Sequence, residues 1–568
     1  MSIIYLCMII FLLCLALFDL SVGVSNDAVN FLQPSIGARA VKFRTMMIVA
    51  SCGVIVGAML SSGMIDIARN GIMMPAQFSF KDVMIIFLAV MVTDVIALDA
   101  FNSLGLPTST TVSIVFDLLG GTFALSTIKV ISDSSLSYNT LLNSGKALNI
   151  IIALFVSVVI AFVLGLIVMW VARILFTFSY KKHLKYIIAV FCGLAFTVLA
   201  YFIFFKGLRT SPSCSDSSGI FIEAHTLWLL PVTFVVSTIV IELLHLLHVN
   251  IFKLIVLFGT FALALAFTRN DLVNFIGVPL AGLSSYQDFM NNAHNITPSD
   301  FMMNTLTPNV KTPPLYLLIA GIIMLIAMGR SQRVQKVIQT SVDLSRQDEG
   351  DEMFGSSKTA RALVRFTQNT GNTLNRFVPT PLKNWISSRF DKDNIILSDD
   401  KAAFDLVRAS INLVLSAVLI TIGTNCKLPL STTYIAFMVA MGTSLADRAW
   451  SRDTAVFRVT GVLIVIGGWF ITAGAAFIIT GLVCLLMYFG GFPIQLLFVV
   501  LIVFQIIRSN RKPVSKEKTQ NQDEDSFRLM MRVRDPELVW DILKKHVSRT
   551  QRHENSFALK EYNQILNG

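Results

Sequence analysis

The chain has 568 residues, of which 54% are hydrophobic and 14% are charged, and its formal net charge is +11. A soluble domain carries about 25% charged residues, so this composition excludes an ordinary soluble globular protein. Lys and Arg cluster in short loops between apolar runs, which is the positive-inside pattern of membrane proteins and argues against nucleic-acid binding. Many apolar runs reach the length of a membrane span, whereas a β-barrel would show short alternating segments. The sequence therefore predicts an all-α polytopic membrane protein.

The first apolar run, residues 1–20, leads directly into the hexapeptide NDAVNF at 26–31, and it lacks the basic region and cleavage site of a signal peptide. We expect it to be a retained span. Further apolar helices and spans are predicted at 44–67, 83–104, 109–126, 147–178, 184–206, 226–248, 312–330, 403–424, 431–447, 456–488 and 489–507, and one more span leads into NDLVNF at 270–275. A polar loop is expected at 283–311, and the whole chain at about 10–12 membrane segments.

Two short motifs occur twice, in the same order. NDAVNF at 26–31 matches NDLVNF at 270–275, and LPTSTT at 106–111 matches LPLSTT at 428–433. The matching pattern of spans around them predicts two structural repeats. A single joining span at 226–248 would invert the second repeat relative to the first. Inverted-topology repeats of this kind are characteristic of secondary transporters.

The charges of the loops predict one orientation. Arg39, Lys42 and Arg44 follow the first NDxVNF motif, so this loop is expected in the cytoplasm. The corresponding loop of the second repeat, 283–311, holds one Lys and two Asp, so it is expected outside. The N-terminus is then outside and the C-terminal tail is cytoplasmic.

The predicted organisation has six segments. Repeat 1 covers 1–206, a connecting loop with the joining span covers 207–250, and repeat 2 is divided into 251–330 and 403–507. A charged cytoplasmic insertion covers 331–402, and a cytoplasmic tail covers 508–568. Both non-membrane segments are interpreted as packing or assembly modules. A regulatory role is left open for them, and nothing in them resembles a catalytic site.

The NDxVNF motif predicts a cation site. Its Asp and second Asn are at positions i and i+3, which share one face of a helix. A buried Asp in a membrane needs a partner, and two copies at matching places of a repeat favour a central ion site. Carboxylate and amide oxygens suit a hard cation such as Na⁺. The predicted Na⁺ ligands are Asp27, Asn30, Asp271 and Asn274, with Asn26 and Asn270 beside them; protonation of the carboxylates is the open alternative.

The LPxSTT motif predicts an oxyanion site. Pro107 and Pro429 end the preceding helix, so that Ser109 and Ser431 stand at the N-cap of the next one. The N-terminus of that helix offers free N–H groups and the positive end of the helix dipole. The predicted anion ligands are Ser109, Thr110, Thr111, Ser431, Thr432 and Thr433.

Together the four motifs resemble those of the inorganic phosphate transporter (PiT) family. GVSNDAVNF and FTRNDLVNF are similar to its duplicated GANDVANA-type signature, and LPTSTT and LPLSTT to its paired STTH motifs. The resemblance implies inverted repeats with re-entrant hairpins and phosphate uptake coupled to Na⁺ or H⁺. It assigns ion binding to the Asp and Asn residues and phosphate binding to the Ser and Thr residues given above. The chain departs from the pattern at Val112 and Tyr434, where the family has His, and at Ser25 and Arg269.

The leading hypothesis is a transporter that imports inorganic phosphate with Na⁺, has no catalytic activity or cofactor, and is integral to the cell (inner or plasma) membrane. Its expected partners are phosphate, the coupling ion and the lipid bilayer, and assembly into a homo-oligomer is left open. H⁺ coupling and transport of sulfate are alternatives of the same class. An intramembrane enzyme acting on phosphorylated lipid would need a nucleophile or metal cluster at one membrane face, and a channel would need a continuous polar stripe.

Further polar residues in the apolar runs have no assigned role. Asp94, Asp99 and Asn102 precede the first STT motif, and Asp117 follows it. A proton or ion role and a structural hydrogen-bonding role are both open for them. Asp405 and Arg408 are interpreted as a structural pair.

Overall fold

A computed structural model describes residues 2–61, 71–104, 109–178, 184–205, 216–294, 296–306, 313–330, 357–362, 364–365, 379–390, 402–448 and 454–510. Within these ranges the fold is all-helical and contains two isolated β-bridges instead of strands. The first eight helices are α1 (Ser2–Asp27), α2 (Val29–Gly37), α3 (Phe43–Met59), α4 (Phe80–Leu104), α5 (Thr110–Ser132), α6 (Tyr138–Leu141), α7 (Ser144–Phe176) and α8 (Leu184–Ala200). They are followed by α9 (Asp216–Leu246), α10 (Ile251–Asn292), α11 (Pro314–Arg330), α12 (Thr380–Arg389), α13 (Leu406–Asn425), α14 (Thr432–Ala446) and α15 (Thr454–Asn510).

The described part of the chain contains eight helical segments that are long and apolar enough to cross a membrane, and four shorter apolar helices. The helix α9 exposes large apolar side chains such as Leu227, Trp228 and Leu246 along its length. An exposed apolar surface of this extent is stable only against hydrocarbon. The prediction of an all-α polytopic membrane protein is confirmed.

The helix α10 lies at the centre of the fold. It packs against α1, α3, α4 and α13, and its residues from Ala262 to Val273 are all buried. NDLVNF lies inside this continuous helix. The loop expected from residue 283 begins later than predicted, because α10 continues to Asn292.

The first NDxVNF copy lies where α1 meets α2. Ala28 between them has helical dihedral angles, φ −58° and ψ −23°. Main-chain hydrogen bonds continue across the junction, from Ala28 N to Val24 O (2.9 Å) and from Leu32 N to Ala28 O (3.2 Å). Asp27 and Asn30 are therefore on consecutive turns of nearly regular helix, as their spacing predicts.

The long helix α15 is interrupted at Gly491, which has φ 59° and ψ −152°. A residue with a side chain rarely adopts this conformation, so glycine permits the break. The interruption lies at the boundary predicted between the spans 456–488 and 489–507.

The helices α7 and α14 pack closely through two glycines. A Cβ atom at Gly442 would lie 2.3 Å from the carbonyl oxygen of Phe162, and one at Gly165 would lie 2.8 Å from that of Val439. Both distances are too short for real atoms, so only glycine allows the two backbones to approach this closely. This contact fixes α14, whose N-terminus carries the second STT motif.

A buried network of charges joins the far ends of α7, α13 and α14. The Arg173 guanidinium pairs with Asp405 at 2.7 Å and with Asp447 at 2.8 Å, and all three side chains are fully buried. Arg408 donates to Asp447 at 3.1 Å, and the Asp405 carboxylate also caps α13 by accepting from the Arg408 main-chain N–H. The predicted Asp405–Arg408 pair is thus one part of a larger network.

The helix α12, which belongs to the predicted insertion, contacts the C-terminal end of α7. Arg389, the last residue of α12, donates to the carbonyl oxygens of Ile174 (2.7 Å) and Leu175 (3.1 Å). These carbonyls belong to the last turn of α7, where no intrahelical partner is available. The helix α12 therefore caps α7 beside the buried network.

We expect Arg173→Met to destabilise the protein strongly, because it leaves Asp405 and Asp447 buried without their main counter-charge. Breaking a buried ion pair costs about 3–5 kcal/mol, whereas a partly exposed pair is worth about 1 kcal/mol or less. The matched control is Lys129→Met, since Lys129 pairs with Asp82 at 2.9 Å and its side chain is 24% exposed. Thermal unfolding in detergent measures both variants. Equal losses of melting temperature would contradict the structural role of the Arg173 network.

Candidate functional site

The carboxylate of Asp27 connects the N-terminal ends of α5 and α14. The Thr110 hydroxyl donates to Asp27 Oδ2 at 2.9 Å, and the Thr433 hydroxyl donates to Asp27 Oδ1 at 3.2 Å. Asn30 donates from Nδ2 to the Thr433 hydroxyl at 2.9 Å. Asp27 is fully buried. One carboxylate of the first repeat therefore binds a threonine from each repeat.

The carboxylate of Asp271 connects the same two helix ends. The Thr111 hydroxyl donates to Asp271 Oδ1 at 3.0 Å, and the Thr432 hydroxyl donates to Oδ2. Asn274 donates from Nδ2 to the Thr111 hydroxyl at 2.8 Å and to Asp271 Oδ1 at 3.3 Å. Asp271 is also fully buried. Its hydrogen-bond donors in the described chain are thus neutral hydroxyl and amide groups.

The contacts of Asp271 are those of Asp27 with the two repeats interchanged. Each Asp accepts from the first Thr of its own STT motif and from the second Thr of the other motif. In each set the Asn three residues after the Asp donates to that second Thr. The correspondence supports the pairing of motifs deduced from the sequence, while the opposite orientation of the repeats in the membrane stays a prediction.

The serines of the STT motifs cap their own helices. Ser109 accepts from the main-chain N–H of Val112, and Ser431 accepts from that of Tyr434, both at 3.2 Å. Each serine has the extended dihedral angles of an N-cap residue. This is the local structure that the LPxSTT spacing predicts.

The first main-chain N–H groups of α5 and α14 have no carbonyl partner within their own helices. Those of Thr110, Thr111, Thr432 and Thr433 belong to the first turn, where no carbonyl precedes them at the right distance. The hydroxyls of the same threonines are engaged by Asp27 and Asp271. Main-chain N–H groups are therefore the better candidates for an anion, and the hydroxyls for the link to the ion site.

The amide groups play a different part from the one that the sequence suggested. Asn270 donates from Nδ2 to Asp271 Oδ1 and to the carbonyl oxygen of Leu430, both at 2.6 Å, and its Oδ1 accepts from Thr424 at 3.2 Å. Asn30 and Asn274 also present nitrogen to the site. The amides position the carboxylates and threonines, so the oxygens that can face a cation are those of Asp and Thr. The side chain of Asn26 is outside the described residues.

Sequence reasoning did not find Thr424 or the Leu430 carbonyl, whose roles depend on tertiary contacts alone. Arg269, which departs from the PiT pattern, is buried with 4% of its surface exposed, and its carbonyl oxygen accepts from the Ser61 hydroxyl at 3.2 Å. A buried guanidinium beside the ion site raises the local positive potential. Pro107 and the side chain of Asn102 lie outside the described residues.

Comparisons with known proteins identify the family of the chain. Residues 23–342, more than half of the chain, match the model of the phosphate transporter family. The chain belongs to this family. The match includes both NDxVNF motifs and the first STT motif, and it assigns the chain to transporters rather than enzymes. The alternative of an intramembrane enzyme is thereby excluded.

A solved structure supports the same fold. The structure named "The sodium-dependent phosphate transporter" is similar with a TM-score of 0.57 at 16% identity, over 85% of this chain and 99% of that one. At this identity the similarity concerns the fold alone. No curated protein sequence matches the chain significantly.

Thr111 and Thr433 each donate to the carboxylate of the other repeat. We therefore expect Thr111→Val and Thr433→Val to have similar effects in this family member. Each removes a hydroxyl that donates to a buried carboxylate, at a cost of about 1.5–3 kcal/mol. Because these carboxylates are the predicted ion ligands, we expect the half-saturating Na⁺ concentration for phosphate uptake into proteoliposomes to rise roughly 10- to 100-fold in both. Thr421→Val is the matched control, because this buried hydroxyl donates only within its helix, to Ala417 O at 2.7 Å. A loss in one variant alone would contradict the paired site.

Proposed function

We propose that the protein imports inorganic phosphate by symport with Na⁺ and alternating access. The observation that carries the proposal is the bridging of two helix N-termini by two buried carboxylates. Helix N-termini bind anions, whereas carboxylates bind cations, and here the two are separated by single hydroxyl groups. Phosphate and a coupling cation would therefore bind side by side.

Elementary electrostatics explains why the two would bind together. Each helix N-terminus carries roughly +0.5 of an elementary charge, so the two helices and the buried Arg269 guanidinium together supply about +2 against the −2 of two ionised carboxylates. This local sum is about zero and gives a phosphate anion no net attraction. Two bound cations would change the local charge to about +2 and so attract the anion, and the anion in turn would strengthen cation binding. Coupling follows from charge in a site of low dielectric constant.

Each carboxylate would share its cation with the threonines that it contacts. A hydroxyl that donates to a carboxylate still has lone pairs for a metal ion. Thr110 and Thr433 would then complete the Na⁺ site of Asp27, and Thr111 and Thr432 that of Asp271. Asn30 and Asn274 would hold the threonines, and the N–H groups of the first turns of α5 and α14 would receive the phosphate oxygens.

Sodium is favoured over a proton because hydroxyl oxygens from two helices surround each carboxylate, which is the ligand type of a hard cation. The similar solved structure is a sodium-dependent phosphate transporter by its name, which is in line with this choice. Proton coupling at the same carboxylates and transport of sulfate remain the alternatives that experiment must separate.

Alternating access needs a closure on each side of the site. The helix α14 has 15 residues, so the Asp447 end lies about 22 Å along the helix from the STT end. The network of Arg173, Asp405, Asp447 and Arg408 joins three helices there. We assign it to the closure on the side that the loop charges predict to be cytoplasmic.

The proposal is tested by uptake of radiolabelled phosphate into proteoliposomes, with Na⁺ and pH gradients imposed separately. We expect an inward Na⁺ gradient to drive phosphate accumulation, and unlabelled sulfate to compete weakly. Equal uptake with K⁺ in place of Na⁺ would contradict sodium coupling. Transport of sulfate without phosphate would contradict the substrate.

Asp271→Asn tests the ion site itself. The amide keeps the size of the side chain but removes the charge that a cation requires, so we expect Na⁺-dependent uptake to fall at least 100-fold, equivalent to about 2.7 kcal/mol. The matched control is Asp288→Asn on the same helix, where the carboxylate accepts from Asn292 at 2.7 Å near the helix end. Unchanged uptake and cation dependence in Asp271→Asn would refute the assignment.

A further inference from the structure

Three other carboxyl groups are buried in the membrane part of the first repeat. Asp19 on α1, Asp94 on α4 and Asp117 on α5 each have at most 1% of their surface exposed. The ion and anion sites described above use none of them. Asp94 and Asp117 had no assigned role from the sequence, and sequence reasoning missed Asp19.

Asp94 links the three carboxyl groups. It is within hydrogen-bonding reach of Asp19, of Asp117 and of the Ser113 hydroxyl. Asp117 is held by hydroxyl donors, from Ser113 at 3.2 Å and from Thr480 on α15 at 2.6 Å. Neither oxygen of Asp19 accepts a hydrogen bond from a hydroxyl, amide or cationic group of the described chain. The fully buried Asp19 therefore faces Asp94, a second carboxyl group.

The charged groups that act most strongly on Asp19 are all acidic: Asp94, Asp27 and Asp117. The helices α10 and α11 also pack against α1. Of these, α10 brings Arg269 and Asp271, which lie at the ion site, and α11 has no charged residue before its last position. α15 contributes the neutral Thr480 hydroxyl. No cation is thus placed to neutralise Asp19 within the described residues.

Two ionised carboxylates cannot remain in contact in a site of low dielectric constant, whereas a shared proton turns their repulsion into a hydrogen bond. Elsewhere in this chain the buried acids Asp405 and Asp447 are neutralised by two arginines, Arg173 and Arg408. In contrast, the described residues contain no group of three or more acidic, His or Cys side chains arranged to hold a metal ion. A proton, which needs only two oxygens, fits the Asp19–Asp94 contact.

We propose that Asp19 and Asp94 form a proton-binding site, distinct from the Asp27 and Asp271 sites, whose protonation weakens cation binding at Asp27. The proton comes from water and adds to a carboxylate, which becomes a neutral carboxyl group that donates to the other carboxylate. Asp19 precedes Asp27 by eight residues of the same helix, about 12 Å. Removal of one negative charge at this distance lowers the attraction for Na⁺, and bound Na⁺ reciprocally favours release of the proton.

The inference rests on the proposed function only for the cation bound at Asp27. Binding of radiolabelled ²²Na⁺ to the purified protein is measured from alkaline to mildly acidic pH. In the wild type we expect the half-saturating Na⁺ concentration to rise as the pH falls, by roughly 5-fold or more, the lower end of typical coupling between sites. In Asp19→Asn and Asp94→Asn this pH dependence should disappear. The same pH dependence in wild type and both variants would overturn the proposal.

A matched control uses the same substitution on the same helix. Asp99→Asn changes a partly exposed carboxylate of α4 that is five residues from Asp94, and it should keep the wild-type pH dependence. Loss of the pH dependence in this control as well would overturn the assignment to Asp19 and Asp94. Binding without phosphate also avoids the change in protonation of phosphate itself near neutral pH.

Difference infrared spectroscopy gives a readout that needs neither transport nor Na⁺. The carbonyl stretch of a buried, protonated carboxyl group should be present in the wild type at neutral pH and diminished in Asp94→Asn. An identical carbonyl band in wild type and variant, or no such band in the wild type, would overturn the proton site. If phosphate uptake failed while the band behaved as expected, the proposed function would be wrong and the proton site would stand.

Discussion

The arrangement depends on one constraint: two carboxylates that are buried away from water must each be satisfied by the groups around them. Asp27 and Asp271 are both fully buried, and each accepts hydrogen bonds from threonines at the N-termini of two different helices. A buried ionised group without donors would cost many kcal/mol. The carboxylates therefore hold α5 and α14 end to end, and a change of charge at either carboxylate acts on both helices.

The packing of the surrounding helices stabilises the contact between the carboxylates and the N-termini of α5 and α14. α10 carries Asp271 and is packed on several sides, while α14 is fixed against α7 by the backbone contacts of Gly165 and Gly442. The far end of α14 is tied to α7 and α13 by Arg173. The helix that presents the second STT motif is thus held at both ends by polar contacts and along its length by close packing, which lets a small change at one end be transmitted to the other.

Much of the fold and the central residues could be predicted, because both leave periodic or repeated signals. Long apolar runs indicate the spans, and the duplication of NDxVNF and LPxSTT brings Asp27 and Asp271 together with the STT helices. The hydrogen bonds from each carboxylate to a threonine of the other repeat left no such signal, because they depend on tertiary contacts. Asp19 was missed for a related reason: the residue at the matching position of the second repeat is Leu263, so no repetition marks it. The orientation of the Asn amides likewise depends on partners such as Leu430, which are distant in sequence.

The hydrogen bonds between each carboxylate and a threonine of the other repeat also have a consequence for biosynthesis. When the ribosome has completed only the first repeat, Asp27 has the Thr110 hydroxyl but not the Thr433 hydroxyl, which is 406 residues further along the chain. Neither carboxylate can acquire its full set of donors until α14 has been inserted. Until then the incomplete centre holds a polar group that the membrane disfavours. A chain truncated before residue 433 should therefore be recognisable to membrane quality control as unfinished, even if its first spans are correctly inserted.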